Sequence, residues 1–315
     1  MRSSPPPIRS NLYHQARATE VKEVRLGSTL GGITSVLDGT RDSIDLRKTS
    51  NRNTDSSTDN METGNDLSMN NTIYQIYISD SEELPEPIKF CMSNVKAHRN
   101  GYNHQLLHNH EVRAFISSSF PHPVLQAFDR LKPYAYKADL ARLCLLQKFG
   151  GWYLDSTVTL PSALPKIADD VGMIVFKDAP NPLASGNWNV NNGAIYARAN
   201  HHVLEIAINV IVDHVRTKFY GRTSLDPTGP GVLGRALAIH GTDRGIITGW
   251  YHQLTPMHQI KNLAYILPVG KILAFGKATA GTPNGLGLEA YGDKGTNSYE
   301  QMYQNREIYI GEDDV

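Results

Sequence analysis

Asp139, Arg142 and Asp155 have residue types and spacing that suit the binding of a charged ligand. Asp139 and Arg142 lie three residues apart in a segment with helical periodicity, so their side chains share one face of that helix. Asp155 follows a short aromatic and apolar run, and ligands of open α/β sheets bind at the carboxyl ends of strands. The pattern favours a charged-ligand site at a sheet edge. The alternative for Asp139 and Arg142 is a solvated salt bridge on the helix surface.

A helix followed by a strand must position these side chains. Apolar residues recur at three-residue steps among strong helix formers, which predicts a helix that packs one face on a core. They are Leu140, Leu143, Leu146 and Phe149. Gly150-Gly151 ends this helix, because glycine adopts positive φ without a steric penalty. The run Trp152-Tyr153-Leu154 is too short for a second helix and predicts a buried strand.

This combination of helix, glycine pair and aromatic strand resembles the sugar-binding region of family 32 glycosyltransferases. That family is related to the yeast initiating mannosyltransferase and more distantly to the clostridial glucosylating toxins. Its pattern is approximately Y-K-S-D-x-x-R, a helix, and then G-G-x-Y-x-D-x-D. This chain supplies Tyr136, Lys137, Ala138, Asp139, Arg142, Gly150, Gly151, Tyr153 and Asp155. Thr157 stands where the pattern has the second aspartate of its DXD motif.

The resemblance implies an α/β fold of the GT-A-like nucleotide-sugar-binding type, with a single mixed sheet flanked by helices. It also implies a hexosyltransferase that moves a sugar from a UDP- or GDP-sugar to a glycan, lipid or protein acceptor. The anomeric configuration would be retained. The alternative, favoured by Thr157, is a catalytically weak relative that binds a sugar nucleotide or a glycan without turnover.

By the same resemblance, the catalytic residues are Asp155, Asp139 and Arg142. Asp139 and Arg142 would hold the sugar hydroxyls, and Asp155 would contact the ribose and the sugar. A Mn or Mg ion would be held by Asp155, Thr157 and Ser298, because oxygen-bound divalent cations stabilise the charge of a leaving diphosphate.

The metal ligands are where the chain departs from the family pattern. A neutral hydroxyl at Thr157 attracts a cation less strongly than a carboxylate does. Ser298, Asp293 and Glu289 are the candidates to compensate. Ser298 belongs to the tripeptide Asn297-Ser298-Tyr299, which is similar to the family's serine-aromatic pair near the diphosphate.

Four further residues are donor-binding candidates by resemblance: Tyr77, Tyr153, Asn191 and Asn192. Tyr77 ends a β-branched and aromatic strand at the position where the family places an aromatic against the nucleotide base. Its alternative is core packing. Asn191 or Asn192 would hydrogen-bond the donor sugar or the acceptor. The alternative for both is an Asx turn that leads into a strand.

Periodicity also predicts the remaining elements. Strands are expected at 72–78, 105–108, 171–176, 246–254 and 265–275, and helices at 85–100, 111–131 (two, divided by Pro121 and Pro123) and 201–219. Segment 187–197 resembles the family's segment in which an asparagine precedes a small-apolar strand. The turn Asp226–Gly231 precedes a further helix and is of a kind that holds phosphate through backbone N–H groups. Residues 276–295 form a glycine-rich loop.

Composition limits the class of protein and its partners. The 315 residues contain 31 Lys and Arg against 31 Asp and Glu, so no basic excess indicates a nucleic-acid partner. No apolar run reaches the roughly 20 residues that span a bilayer, which predicts no transmembrane segment. Cys91 and Cys144 lie in apolar contexts that favour buried thiols in a reducing compartment, although their pairing stays open.

Residues 1–70 differ from the rest of the chain. They are rich in polar residues and contain a single aromatic, Tyr13, which predicts disorder. Residues 71–315 are then expected to form the GT-A-like domain. The protein is expected to be cytoplasmic, and export by a non-classical or effector-type route is the alternative.

Overall fold

A computed structural model describes residues 71–81, 83–178, 188–254, 263–276 and 297–311. All of them lie within one compact unit of the chain, Asp42–Val315. The predicted disorder of residues 1–70 falls outside the described residues. So do Glu289, Asp293 and most of the predicted glycine-rich loop.

The described residues contain eight strands, joined in one mixed sheet of order β2-β1-β3-β5-β4-β6-β7-β8. The strands are β1 (Thr72–Ile76), β2 (Asn103–Leu107), β3 (Gly151–Leu154), β4 (Met173–Lys177), β5 (Val190–Ala197), β6 (Ile246–Gln253), β7 (Leu263–Ile266) and β8 (Ile272–Phe275). The described helices are α1 (Glu86–Ala97), α2 (Asn109–Ser119), α3 (His122–Arg130), α4 (Tyr134–Phe149), α5 (His202–Arg216), α6 (Pro230–His240) and α7 (Tyr299–Gln304). The predicted α/β fold, a single mixed sheet flanked by helices, is confirmed.

The pairing directions bring the ends of several strands to one edge of the sheet. β1 is parallel to both β2 and β3, and β5 runs antiparallel between β3 and β4. β6 is parallel to β4. The carboxyl ends of β1, β3, β4 and β6 therefore lie at the same edge as the amino end of β5.

The core lies on both faces of the sheet. One apolar cluster joins the sheet to α4, α5 and α6, and a second fills the opposite face around Trp152 and Tyr196. α4 is buried on every side from Leu140 to Leu146, rather than on one face as the periodicity predicts. It contacts the sheet as well as α2, α3, α5 and α7. Cys91 and Cys144 are both buried, as the sequence predicts.

The prediction of one strand over 265–275 is wrong. β7 ends at Ile266, and the chain reverses through Gly270, whose φ is +80°, before β8 begins at Ile272. The amide of Leu267 donates to the carbonyl of Lys271 at 2.9 Å and closes this hairpin. Pro268 and Gly270 explain the reversal, because both residue types favour turns.

Candidate active site

A tight connection between α4 and β3 positions the three charged residues. Gly150 and Gly151 have φ of +66° and +98°, and they turn the chain from the helix directly into the strand. A Cβ atom on Gly151 would lie 2.4 Å from the carbonyl oxygen of Thr72. Only glycine therefore allows β3 to approach β1 this closely, and the approach sets Asp155 beside the middle of α4.

Arg142 joins the two carboxylates. Its Nη2 lies 3.1 Å from Asp139 Oδ1, and its Nη1 lies 3.1 Å from Asp155 Oδ1. The guanidinium also stacks over the ring of Tyr153, with Cζ 4.4 Å from the centroid, and donates to the carbonyl of Asn192 at 2.6 Å. The alternative of a solvated salt bridge is wrong, because the side chains of Arg142 and Asp139 are only 6% and 11% exposed.

Charge neighbours keep Arg142 protonated. Burial lowers the pKa of Arg142, but Tyr153, Asp155 and Asp139 outweigh burial and raise this pKa above its ordinary value. The guanidinium is therefore a fixed positive charge within the network. Arg142 and the ionised forms of Asp139 and Asp155 together carry one net negative charge.

Asp139 lies inside the network. Its Oδ1 accepts a hydrogen bond from Asn192 Nδ2, and its Oδ2 accepts one from the hydroxyl of Thr228, both at 2.8 Å. Burial raises the pKa of Asp139, while Arg142 and these two donors act against the rise. Both carboxylate oxygens have protein donors, so Asp139 is placed to position Arg142 and Asn192.

Asp155 is the exposed member of the network. Its Oδ1 accepts a hydrogen bond from the Tyr153 hydroxyl at 2.8 Å, in addition to its contact with Arg142. Its Oδ2 has no hydrogen-bond donor among the described residues, and its side chain is 39% exposed. Its main chain is fixed by a bond to Gly193 at 2.8 Å. One carboxylate oxygen is thus available to a ligand at the sheet edge.

A second line of polar contacts supports Asp155 from β1 and β2. The Gln75 side chain is fully buried, and its Nε2 donates to the carbonyl of Asp155 at 3.1 Å. His104 Nε2 lies 2.7 Å from Gln75 Oε1. Burial, assisted by the charges of Lys96 and Arg99, lowers the pKa of His104 to about 4. His104 is therefore neutral near pH 7, with Nε2–H donating to Gln75.

Sequence reasoning misses Gln75, Thr228 and Tyr265. A glutamine inside the apolar strand TIYQI was the available signal for Gln75, since buried polar side chains require a partner. Thr228 lies in the turn 226–231, noted above as of a kind that can hold phosphate through backbone N–H groups, and its side-chain hydroxyl donates to Asp139. The Tyr265 hydroxyl donates to Asn191 Oδ1 at 2.8 Å, and that contact depends on sheet pairing that the sequence does not show.

The two asparagines at the start of β5 join the site in different ways. Asn192 binds Asp139 through its side chain and Arg142 through its carbonyl. Asn191 Oδ1 accepts from the amide of Gly193 at 2.9 Å, which is the Asx-turn contact expected as its alternative role. A Cβ atom on Gly193 would lie 2.6 Å from Asp155 Oδ2. Glycine there keeps β5 close to that carboxylate.

No hydrogen bond, ion pair or ring contact joins Tyr77 or Ser298 to Asp155 in the part of the chain that the structure describes. Tyr77 is half-buried beyond the end of β1, packs beside Ile88 and Met92, and meets the ring of His108 edge-on. These contacts correspond to its core-packing alternative. Ser298 precedes α7, and no hydrogen bond in the described ranges joins it to Asp155. Its neighbour Asn297 instead accepts from the amide of Tyr134 at 2.7 Å.

Asp155 and Thr157, the residues expected to hold a cation, lie in one turn. Thr157 is half-buried in a turn closed by the bond from the Val158 amide to the Asp155 carbonyl, at 3.0 Å. Among the described residues no three His, Cys, Asp or Glu side chains converge on a metal position. Mg²⁺ usually binds one or two carboxylates and completes its shell with water and substrate phosphates. The exposed Asp155 oxygen suits that mode and not a cage made of protein alone.

The fold is that of an α/β protein, and its candidate site lies at the carboxyl ends of its strands. Residues 40–220 match the model of the family described as capsular polysaccharide synthesis protein, and the chain belongs to this family. The matched range contains Asp139, Arg142, Asp155 and the start of β5. No helix in the described part of the chain has both the length and the apolar character needed to cross a bilayer.

Individual relatives are similar over part of the chain. The uncharacterized glycosyltransferase L373 of Acanthamoeba polyphaga mimivirus is 32% identical over 135 residues, which cover 43% of this chain and 52% of that protein. The match therefore spans about half of the relative. The PaToxG glycosyltransferase superposes with a TM-score of 0.43 at 16% identity, covering 55% of this chain and 70% of that one. A glycosyltransferase involved in glycosylation of the PBCV-1 major capsid superposes with a TM-score of 0.36 at 13% identity. The superposition covers 58% of this chain and 83% of that one.

Proposed function

We propose that this chain is a glycosyltransferase that moves a sugar from a UDP- or GDP-sugar to an acceptor with retention of anomeric configuration. The observation that carries the proposal is Asp155, a partly exposed carboxylate held at the sheet edge by Arg142 and Tyr153, with one oxygen that no donor of the described residues binds. Family membership and the name of the viral relative support the transferase class. The resemblance to family 32 supports a nucleotide-sugar donor.

The charge of the site favours a donor that carries a cation. With both carboxylates ionised, Asp139, Arg142 and Asp155 sum to one negative charge, which repels a bare diphosphate and attracts a divalent ion. Asp155 Oδ2 and the Thr157 hydroxyl are the groups that would hold Mn or Mg. Such an ion neutralises charge on the leaving diphosphate. Arg142 orients Asp155, and Asp139 and Asn192 in turn fix Arg142.

The network also bears on stereochemistry. A retaining enzyme with a covalent intermediate needs a second carboxylate that is free to attack the anomeric carbon. Asp139, which Arg142 links to Asp155, is a candidate, but both its oxygens accept hydrogen bonds and its side chain is buried. We therefore propose front-face attack by the acceptor hydroxyl within an ion pair.

A donor panel tests the proposal. Purified protein is incubated with UDP- and GDP-sugars in the presence of Mn²⁺ or Mg²⁺, and release of the free nucleotide is measured. Release from at least one donor supports the transferase. Thr157 favours a second candidate, a relative that binds without turnover. That candidate gains support if calorimetry detects donor binding while no donor releases nucleotide, and absence of both binding and release contradicts both proposals.

A further inference from the structure

A shallow groove of about 360 Å³ lies beside α6, near the amino end of β5. Its lining combines apolar and polar side chains. Val190, Leu237, Ile246 and Trp188 are apolar or aromatic, and Lys177 and Asp243 are charged. Pockets of this size that combine apolar or aromatic walls with a few polar groups are typical of small-ligand sites.

Trp188 is held in an exposed position by the backbone. Trp188 as a whole residue is 54% exposed, although tryptophan is highly buried on average. The chain at Trp188 lies directly against α6, since a Cβ atom on Gly234 would lie 1.8 Å from the Trp188 carbonyl oxygen. Gly234 thus permits a close approach that fixes the backbone of Trp188 while the residue stays open to solvent.

The groove and the candidate donor site share β5. Val190, which lines the groove, and Asn192, which bonds Asp139, are two residues apart, so their side chains point to the same face of the sheet. Two residues along a strand span about 7 Å. Lys177 pairs with Val190 across β4 and β5. Val190 in the groove is therefore about 7 Å along β5 from Asn192, which belongs to the network around Asp155.

We infer that this groove is the acceptor subsite of the proposed transferase and that its occupant is a glycan. An exposed indole offers a flat apolar surface to the C–H face of a sugar ring, as aromatic side chains do in ligand sites. Lys177 can donate hydrogen bonds to the hydroxyl groups of a sugar. Asp243 already contacts the amide of Gly245 and His240 Nε2, so it borders the groove with only its remaining acceptor capacity. A lipid tail offers no partner to these charged groups. The glycan can be an acceptor only if the chain is a glycosyltransferase, so this part of the inference rests on the proposed function.

Saturation-transfer NMR with linear trisaccharides tests the groove directly. The probes are trisaccharides of glucose, galactose, mannose and N-acetylglucosamine, and phosphatidylglycerol vesicles in a sedimentation assay provide the lipid comparison. We expect at least one trisaccharide to bind, with affinity at least tenfold weaker in Trp188→Ala. Phe90→Ala removes a comparably exposed aromatic side chain on α1 and should bind like the wild type. Circular dichroism and thermal unfolding check that both variants fold.

The outcomes separate this inference from the proposed function. If no trisaccharide binds, if Trp188→Ala binds like the wild type, or if only vesicles bind, the groove is not a glycan site. Nucleotide release should stay unchanged in Phe90→Ala, because α1 contributes no residue to the groove or to the contacts around Asp155. Trp188-dependent binding of a trisaccharide without any nucleotide release would support a glycan site while contradicting the transferase.

Discussion

Arg142 determines the geometry of the site at the scale of single residues. Two of its nitrogens lie 3.1 Å from two different carboxylates, and its guanidinium covers the ring of Tyr153. A planar group with several fixed donors can make these contacts together, which a lysine ammonium cannot. The spacing of Asp139 and Arg142 predicts that they share a face. It does not predict their burial, which arises from the packing of α4 between the sheet and other helices.

Arg142→Ala should be strongly destabilising. Removal of one partner of a buried ion pair leaves uncompensated charge and costs about 3–5 kcal/mol. Urea unfolding measures the effect. Arg113→Ala is the matched control, because Arg113 makes an ion pair with Asp129 at 2.8 Å but is 53% exposed, and its loss should cost at most about 1 kcal/mol. Equal losses in the two variants would contradict a buried charge network around Arg142.

Thr157→Asp should increase the affinity for Mn²⁺ about tenfold, which corresponds to about 1.4 kcal/mol. The new carboxylate would stand two residues after Asp155, in the same turn, and would add negative charge beside its exposed oxygen. Electron paramagnetic resonance titration with Mn²⁺ measures the affinity. Ser156→Asp introduces the same charge at the neighbouring position. A gain of the same size in both variants, or none in Thr157→Asp, would show that Thr157 does not face the cation.

At the scale of secondary-structure elements, the α4–β3 connection is the feature that sequence predicts best. The glycine pair ends the helix where expected, and Trp152–Leu154 falls within the predicted buried strand. The prediction missed the β7–β8 reversal, because it followed the apolar run through Pro268 and Gly270, the two turn-forming residues that marked it. Contacts across the sheet, such as those from Gln75 and Tyr265 to the site, depend on strand order.

Gly151→Ala should disrupt this connection. The added methyl group meets the Thr72 carbonyl oxygen at 2.4 Å in a backbone with φ of +98°, so both strain and collision oppose folding. Gly270→Ala is the control, since Gly270 has φ of +80° but no atom lies within 4 Å of the place that a Cβ would take. Gly270→Ala should lower the free energy of unfolding by about 1–2 kcal/mol, the cost of placing a side chain on a backbone with positive φ. Thermal unfolding should show a clearly larger loss for Gly151→Ala.

The β1–β2 pair should make stability depend on pH. The pKa of His104 falls from its ordinary 6.5 to about 4 in the folded protein. The unfolded chain therefore binds more protons in this range, and the free energy of unfolding decreases as pH falls from about 6.5 to about 4. His104→Gln should reduce this decrease, whereas the exposed His122→Gln should not. Urea unfolding at several pH values provides the measurement, and parallel pH profiles for wild type and His104→Gln would contradict the assignment.

At the scale of the whole molecule, the fold class follows from the alternation of strands and helices and from the resemblance carried by residues 136–155. Local patterns specify these elements because each buries its own apolar face. The candidate site could be predicted only in part: Asp139, Arg142 and Asp155 are close in sequence as well as in space. Asn192 and Thr228, which donate hydrogen bonds to Asp139, lie more than 50 residues after Asp139 along the chain. Their contacts with Asp139 therefore form only when the sheet assembles.

The rate of nucleotide release in Asp155→Ala tests the central claim most directly. Wild type, Asp155→Ala and Asp169→Ala are compared with the best UDP- or GDP-sugar and Mn²⁺. Asp169 is a fully exposed carboxylate, and its removal should leave the rate unchanged. Loss of Asp155 should reduce the rate about 10²–10³-fold, the range found when one electrostatic contact is removed from an active site. A wild-type rate in Asp155→Ala would contradict the assignment of this site.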